Sequence, residues 1–331
     1  MKAFALLLLL GGSQWLMGQS TDWVEHKKVL KLMGTRFEIG AVAQNDTLAW
    51  AAIEAGIAEI ERIEKLISSW DKDSQTSEIN RNAGIQPVVV DQELYDLVFR
   101  ALKVAKLTAG AFDISFASMD RIWKFDGSMT QMPSEAAVEK AALKIDWEKI
   151  MLNPEARTVF LLDKGMKIGF GGIGKGYAAN QAKLLMSKMP GIMGGVVNAA
   201  GDLLAWGDRP SEKEWVIKIA DPLKKEDALG WLQINDAAVV TSGDYERYVE
   251  FGGKRYAHII DPRTGYPTTG IKSVTVVCPY AEVADALATS IFVLGKEKGL
   301  QLVNQLKGVE CLIVTDENDI LTSTQLQLNY Y

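Results

Sequence analysis

Three stretches of this chain carry residue types at spacings that chemistry can use. The first is Gly169-Phe170-Gly171-Gly172-Ile173-Gly174-Lys175-Gly176-Tyr177. Glycine lets a backbone approach a ligand closely, and a helix start leaves N–H groups without intrahelical partners, so such a turn can face a phosphate. Gly169, Gly171 and Gly174 fit the spacing G-x-G-x-x-G, but residues 189–199 hold no acidic side chain where a dinucleotide fold places its ribose ligand. Gly169, Gly174 and Lys175 fit G-x-x-x-x-G-K-[ST], but Gly176 stands where a hydroxyl would bind Mg²⁺. A tight turn packed against a helix fits the same residues.

The second stretch is Asp285-Ala286-Leu287-Ala288-Thr289. On a helix, Asp285 and Thr289 lie one turn apart on one face. A carboxylate and a hydroxyl so placed can reach one hard cation, and Mg²⁺ needs few protein ligands. An Asp in solvent and a Thr bonded to its own helix backbone give the same spacing. The third stretch is His258-Ile259-Ile260-Asp261-Pro262-Arg263-Thr264-Gly265. Pro262 and Gly265 set a turn, His258 can carry a proton near neutral pH, and Asp261 is either a second proton acceptor or a cap for the turn's amides. Trp70 can stack on an aromatic ligand or simply pack. No G-x-S-x-G elbow is present, so a Ser-His-Asp hydrolase has no support.

The elements that must position these residues can be read from periodicity. Asn45-Asp46-Thr47 caps a helix running to about Ser69, with Ile53, Ile57, Ile60, Ile63 and Ile67 on one stripe. Further helices are expected from Asp91, over Lys175–Met189 and over Glu282–Leu294. Strands are expected over Val29–Ile39, interrupted at Met33-Gly34-Thr35, and in Val159–Ile168, Trp215–Ala220, Ser273–Val277 and Cys311–Val314. Tyr248–Phe251 and Tyr256–Ile260 flank Gly252-Gly253, a hairpin turn. Hairpins mixed with helices predict an α+β fold rather than regular βαβ units. No Pro/Gly/Ser linker divides the chain, so residues 21–331 read as a single domain with two lobes.

The chain has 331 residues and 36 basic against 42 acidic side chains, a net charge of −6. That balance argues against a nucleic-acid binder, although a local site can still be positive. Cys278 and Cys311 are the only cysteines and His26 and His258 the only histidines, and they form no cluster of the kind a structural zinc site needs. Lys2, the apolar run Ala3–Leu10 and the small residues that follow have the layout of a secretory signal peptide over residues 1–20, cleaved near residues 19–21. The run is short for a bilayer span, and no cysteine stands where a lipid would be attached. An exported, periplasmic protein without a transmembrane segment in its mature chain is expected. In that compartment Cys278 and Cys311 could pair, and two buried thiols is the preferred reading.

Taken in order, the pieces Met33-Gly34-Thr35, Ser69-x-Trp-x5-Ser77-Glu78-x-Asn80, Gly110-Ala111-Phe112-Asp113, Gly171-Gly172-Ile173-Gly174-Lys175-Gly176-Tyr177, Thr241-Ser242-Gly243, His258 to Gly265 and Ala284-Asp285-Ala286-x-x-Thr289 resemble the ApbE family of FAD:protein FMN transferases. The resemblance spans roughly residues 29–315. It implies an exported α+β protein, with two lobes around a flavin site and a relation to the T-fold. It also implies Mg²⁺-dependent cleavage of the FAD pyrophosphate, with FMN passing to a Thr or Ser hydroxyl of an acceptor flavoprotein and AMP leaving. The acceptors it implies are subunits of membrane redox complexes such as Na⁺-translocating NADH:quinone reductase. Hydrolysis of FAD to FMN and AMP, or flavin binding without catalysis, are the alternatives. By matched position, Asp285, Thr289 and a backbone carbonyl at Gly172 would hold Mg²⁺. Met33, Trp70, Ala111, Phe112, Asp113, Gly169, Gly171, Lys175 and Ile260 would line the FAD site. His258 would lie by the reacting phosphate, with His258 or Asp261 as base. The chain departs from the family pattern at three points: Gly169-Phe170 replaces Asp-Leu, Gly174 replaces Ala, and Ala200-Gly201-Asp202 replaces Gly-Gly-Asp.

Overall fold

A computed structural model describes residues 23–209, 214–222, 224, 227–244 and 248–329. The expected signal peptide and its cleavage point lie outside the described residues. Strands β1 (Val24–Leu32) and β2 (Thr35–Ala43) meet at Met33-Gly34 and lead into helix α1 (Asp46–Ile67). Then come α2 (Gln75–Arg81), β3 (Val88–Val89), α3 (Gln92–Leu107), a 3-10 turn over Ile114–Ser118, α4 (Glu135–Ala142), β4 (Ile150–Asn153) and β5 (Thr158–Leu161). Helix α5 (Gly174–Met186) precedes β6 (Ile192–Ala199), β7 (Asp202–Gly207), β8 (Trp215–Ala220), β9 (Ala228–Ile234) and β10 (Ala237–Gly243). The chain continues through β11 (Tyr248–Phe251), β12 (Lys254–Ala257), β13 (Ile271–Cys278), α6 (Ala281–Leu294), α7 (Lys296–Val303), β14 (Glu310–Thr315) and β15 (Ile320–Thr322).

Eight strands form one sheet in the order β1-β2-β6-β7-β10-β13-β14-β15. Every pairing in it is antiparallel. Side chains alternate across its faces. Phe37, Ile39, Val240, Val274 and Val276 join the core shared with the helices, while Val42, Val196, Val239 and Val314 join a second core with Trp215, Ile219, Leu232 and Ile234 of the β8–β9 ribbon. Helices on one face of an antiparallel sheet make this an α+β fold, as expected from the mix of hairpins and helices. The first core also takes in Ile79, Val88, Leu94, Val159 and Leu161 from α2, α3 and the small β3-β5-β4 sheet.

Helix α1 shows why the elements form where they do. Asn45 Oδ1 accepts the Leu48 amide at 3.0 Å, and the expected isoleucine stripe is buried. The helix stops at Ile67 because Ser68 turns to an extended conformation, its hydroxyl accepting the amides of Trp70 and Asp71. Of two further strand expectations, one is borne out and one is corrected. The strand expected within Val159–Ile168 is β5, which ends at Leu161; beyond the Gly165 turn, residues 167 and 168 are held by side chains instead of a strand partner. Ser118 Oγ pairs with both Lys167 backbone groups, and the Asn80 amide with both of Ile168. The strand expected over Tyr256–Ile260 ends at Ala257, with only one bridge further on, Ile260 to Pro267. Cys278 and Cys311 are buried free thiols on neighbouring strands.

Candidate functional site: an oxygen pair beside a glycine turn and an aromatic cavity

The site is assembled where α5 and α6 cross. Gly176, in the first turn of α5, lies so close to α6 that a Cβ there would strike the Ala281 carbonyl carbon and oxygen. Asn180, one turn later, accepts the Ala281 amide at 2.9 Å and so caps α6. This close approach carries Asp285 to the start of α5, where Gly176 donates its amide to Asp285 Oδ2 at 3.3 Å. Asp285 is 4% exposed. Burial pushes its carboxyl above the usual range, opposed by the Lys175 charge 3.8 Å away and by the Gly176 amide. Thr289, one helical turn on, is half-buried, and its hydroxyl lies 3.5 Å from where a Gly172 Cβ would stand. Asp285, Thr289 and the Gly172 backbone therefore share one place.

The glycine turn reaches that place from the cavity side. Gly169 lies against Ala117 and Ser69, Gly174 against Ile67 and Met33, and Gly171 is exposed, with open space where a Cβ would stand. Phe112 packs its ring against Gly172. The turn is not an open phosphate cradle along its whole length. The Gly169 amide is given to Ile114, those of Ile173 and Gly174 to the Phe170 carbonyl, and that of Gly176 to Asp285. Lys175 points its ammonium at Asp202, the first residue of β7, with Asp285 Oδ2 3.8 Å away.

Ser69 and Ala117 also line a cavity of 810 Å³, large enough for a drug-sized or dinucleotide ligand. Trp70, Phe116, Trp123, Phe125, His258 and Ile260 give it an aromatic and apolar wall, and Lys72, Arg81, Arg121 and Lys167 give it positive charge. Trp70 is 78% exposed, with the Arg121 guanidinium 4.5 Å from its ring centre. His258 meets Phe125 edge to face, 6.4 Å between centres. Trp123 donates its indole N–H to the Gly265 carbonyl at 2.9 Å, joining this wall to the turn after His258.

The residues singled out from the sequence fall in three places. Trp70, His258 and Ile260 line the cavity; Met33, Phe112, Gly169, Gly171, Gly172 and Lys175 lie on or against the glycine turn; Asp285 and Thr289 lie beyond it. Ala111 is buried next to Phe112. Asp113 spends both carboxylate oxygens on backbone, accepting Ser115 N at 2.7 Å and Trp147 N at 3.0 Å, and burial raises its pKa to about 6. Asp261 is gripped by the forked Arg263 guanidinium at 2.8 Å to each oxygen, and His258 rather than Asp261 lines the cavity. The sequence reading missed Phe116, Arg121, Trp123, Phe125 and Lys167, which lie in stretches without periodicity, and gave no role to Asp202. A model of the ApbE family matches residues 33–313. A FAD:protein FMN transferase of Treponema pallidum (strain Nichols) is 34% identical over 289 residues, 82% of this chain and 79% of that protein. One of Klebsiella pneumoniae (strain 342) is 30% identical, covering 90% and 92%. The crystal structure of an ApbE protein from Thermotoga maritima superposes with a TM-score of 0.82 at 32% identity, covering 91% of this chain and 97% of that one. With the motifs in order, the site assembled from them and the match running from Met33 to Ile313, the chain belongs to the ApbE family.

Proposed function

We propose that this chain is a flavin transferase that moves FMN from FAD to a Thr or Ser hydroxyl of an acceptor protein, with AMP as leaving group. Its relatives are named for FMN transfer from FAD to protein. The observation that carries the reading is that the glycine turn brings Gly172 to Thr289, one helical turn from Asp285, while its Gly169 packs against Ala117 and Ser69 of an aromatic cavity lined by four basic side chains. Flavin and adenine rings need flat apolar surfaces, and a pyrophosphate needs positive charge. The cavity supplies both from Trp70 and its neighbours and from Lys72, Arg81, Arg121 and Lys167.

The residues fit a small hard cation. Asp285 is a buried carboxylate whose nearest described contacts are one long amide bond and an ammonium at 3.8 Å, and Thr289 adds a neutral oxygen beside it. Among the described residues no three of His, Cys, Asp and Glu cluster to hold a metal, so softer or carboxylate-rich sites have no rival place. Asp285, Thr289 and the Gly172 carbonyl would hold Mg²⁺, which would supply charge neutralisation at the pyrophosphate. The protein's own part is positioning. Trp70, Ile260 and Phe112 would orient the flavin end, Lys175 would add charge beside the turn, and His258 would take the proton from the acceptor hydroxyl. Cys278 and Cys311 have no part in this chemistry, since burial raises both thiols to about 11 and about 12.

The amino-terminal pattern supports export to the periplasm, and membrane redox subunits are the acceptor class this reading favours. Among the described residues no helix is long and apolar enough to cross a membrane. The test is to incubate the protein with FAD and Mg²⁺, with and without a candidate acceptor flavoprotein. Covalent FMN on the acceptor, with AMP formed mainly when acceptor is present, supports transfer. Equal AMP and free FMN in both reactions would make it a hydrolase, and intact FAD a binding protein.

A further inference from the structure

We propose that Asp202 is a positioning residue that sets how strongly the Asp285–Thr289 pair takes a divalent cation, by holding the Lys175 ammonium away from Asp285. The inference rests on the metal role given to Asp285 above and adds a control that the role does not itself require.

Among the described residues, the Lys175 ammonium lies within ion-pair reach of two buried carboxylates. Lys175 Nζ pairs with Asp202 Oδ2, and lies 3.8 Å from Asp285 Oδ2. The side chain of Asp202 is 5% exposed and that of Asp285 6%. Two buried negative charges within reach of the same ammonium compete for it. Lys175 is therefore a resident rival for the oxygen a divalent cation would use. It is tethered at the start of α5 and can lean either way on its flexible stem.

Asp202 is placed to decide the contest. It opens β7 directly after the Ala200-Gly201 turn, both residues of which have positive φ. In the sheet it stands opposite Val240, whose side chain belongs to the core under the helices, so Asp202 faces α5. The Asn198 side chain accepts the Gly201 amide at 2.9 Å and fixes the turn. A rigid strand end thus presents a buried carboxylate to Lys175, drawing the ammonium off Asp285 and leaving that oxygen for the ion. Without the Asp202 charge, Lys175 settles on Asp285, and a divalent ion must displace it.

Mn²⁺ binding to the full chain, followed by the electron paramagnetic resonance of free Mn²⁺ without FAD, tests this. Asp285→Ala should abolish the site; retained binding there would sink the underlying metal assignment and this proposal with it, whereas the arms that follow test the proposal where that assignment holds. Asp202→Asn should weaken binding about tenfold, as expected for coupled buried charges. The same change in a Lys175→Gln background should have no effect, because no ammonium remains to move. Lys175→Gln alone should bind Mn²⁺ at least as tightly as wild type, which keeps the proposal testable if Asp202→Asn folds poorly. Equal weakening by Asp202→Asn in both backgrounds would show plain long-range charge and overturn the proposal. So would no weakening in either, or looser binding in Lys175→Gln.

Discussion

At the scale of single residues, the oxygen pair was legible because helical spacing alone puts Asp285 and Thr289 on one face. What they meet was not legible. Asp202 reaches Lys175 only through sheet pairing, and the paired carboxylate and ammonium sit 27 positions apart in sequence. The same blindness applied to Asp113 and Asp261, whose carboxylates are taken by backbone amides and by Arg263. Asp113 gives a prediction with a definite sign. Its folded pKa of about 6 lies above the ordinary 3.8, so the folded state holds its proton more tightly. The stability it contributes is present below about pH 4 and is lost as pH rises through 6. The melting temperature of wild type minus that of Asp113→Asn should therefore fall between those pH values and then level. A difference that is flat, or that grows with pH, would show that burial does not dominate at Asp113.

At the scale of elements, the long helices were legible from their stripes and caps. Of the small β3-β5-β4 sheet only β5 was, within Val159–Ile168; β3, β4 and α2 were not, since two-to-seven-residue elements carry too little periodicity. The closeness of α5 to α6 was written only as a glycine. Gly176→Ala would drive a methyl into the backbone of α6, costing about 2 kcal/mol or more and moving Asp285 from Lys175. Thermal unfolding should show a clear drop, with FAD turnover lost; an unchanged melting temperature would contradict the crossing described. The departure from the family's Gly-Gly-Asp lands on a strained residue, because Ala200 has φ +55°. Ala200→Gly should relieve about 1 kcal/mol. For a chain of this size that is a rise of roughly 2 °C in melting temperature by calorimetry, and a fall would mean the left-handed turn is absent.

At the scale of the whole molecule, composition gave a net charge of −6, yet the cavity carries Lys72, Arg81, Arg121 and Lys167. An acidic protein with a basic cavity should attract FAD less well as salt rises. The KM for FAD should increase about threefold or more between roughly 50 and 500 mM salt, because the screening length shortens from above 10 Å to a few ångströms. A salt-independent KM would mean that these side chains do not see the phosphates. The order of weak motifs was legible from Met33 to Thr289, because a fold that converges several turns on one cleft needs all of them. The most direct test of the central claim is mass spectrometry of an acceptor flavoprotein incubated with FAD, Mg²⁺ and either wild type or Asp285→Ala. The account predicts a covalent FMN adduct with wild type, and about a hundredfold less or none with the variant. The variant should melt no lower than wild type, since it removes a buried charge. Undiminished flavinylation by Asp285→Ala would contradict it.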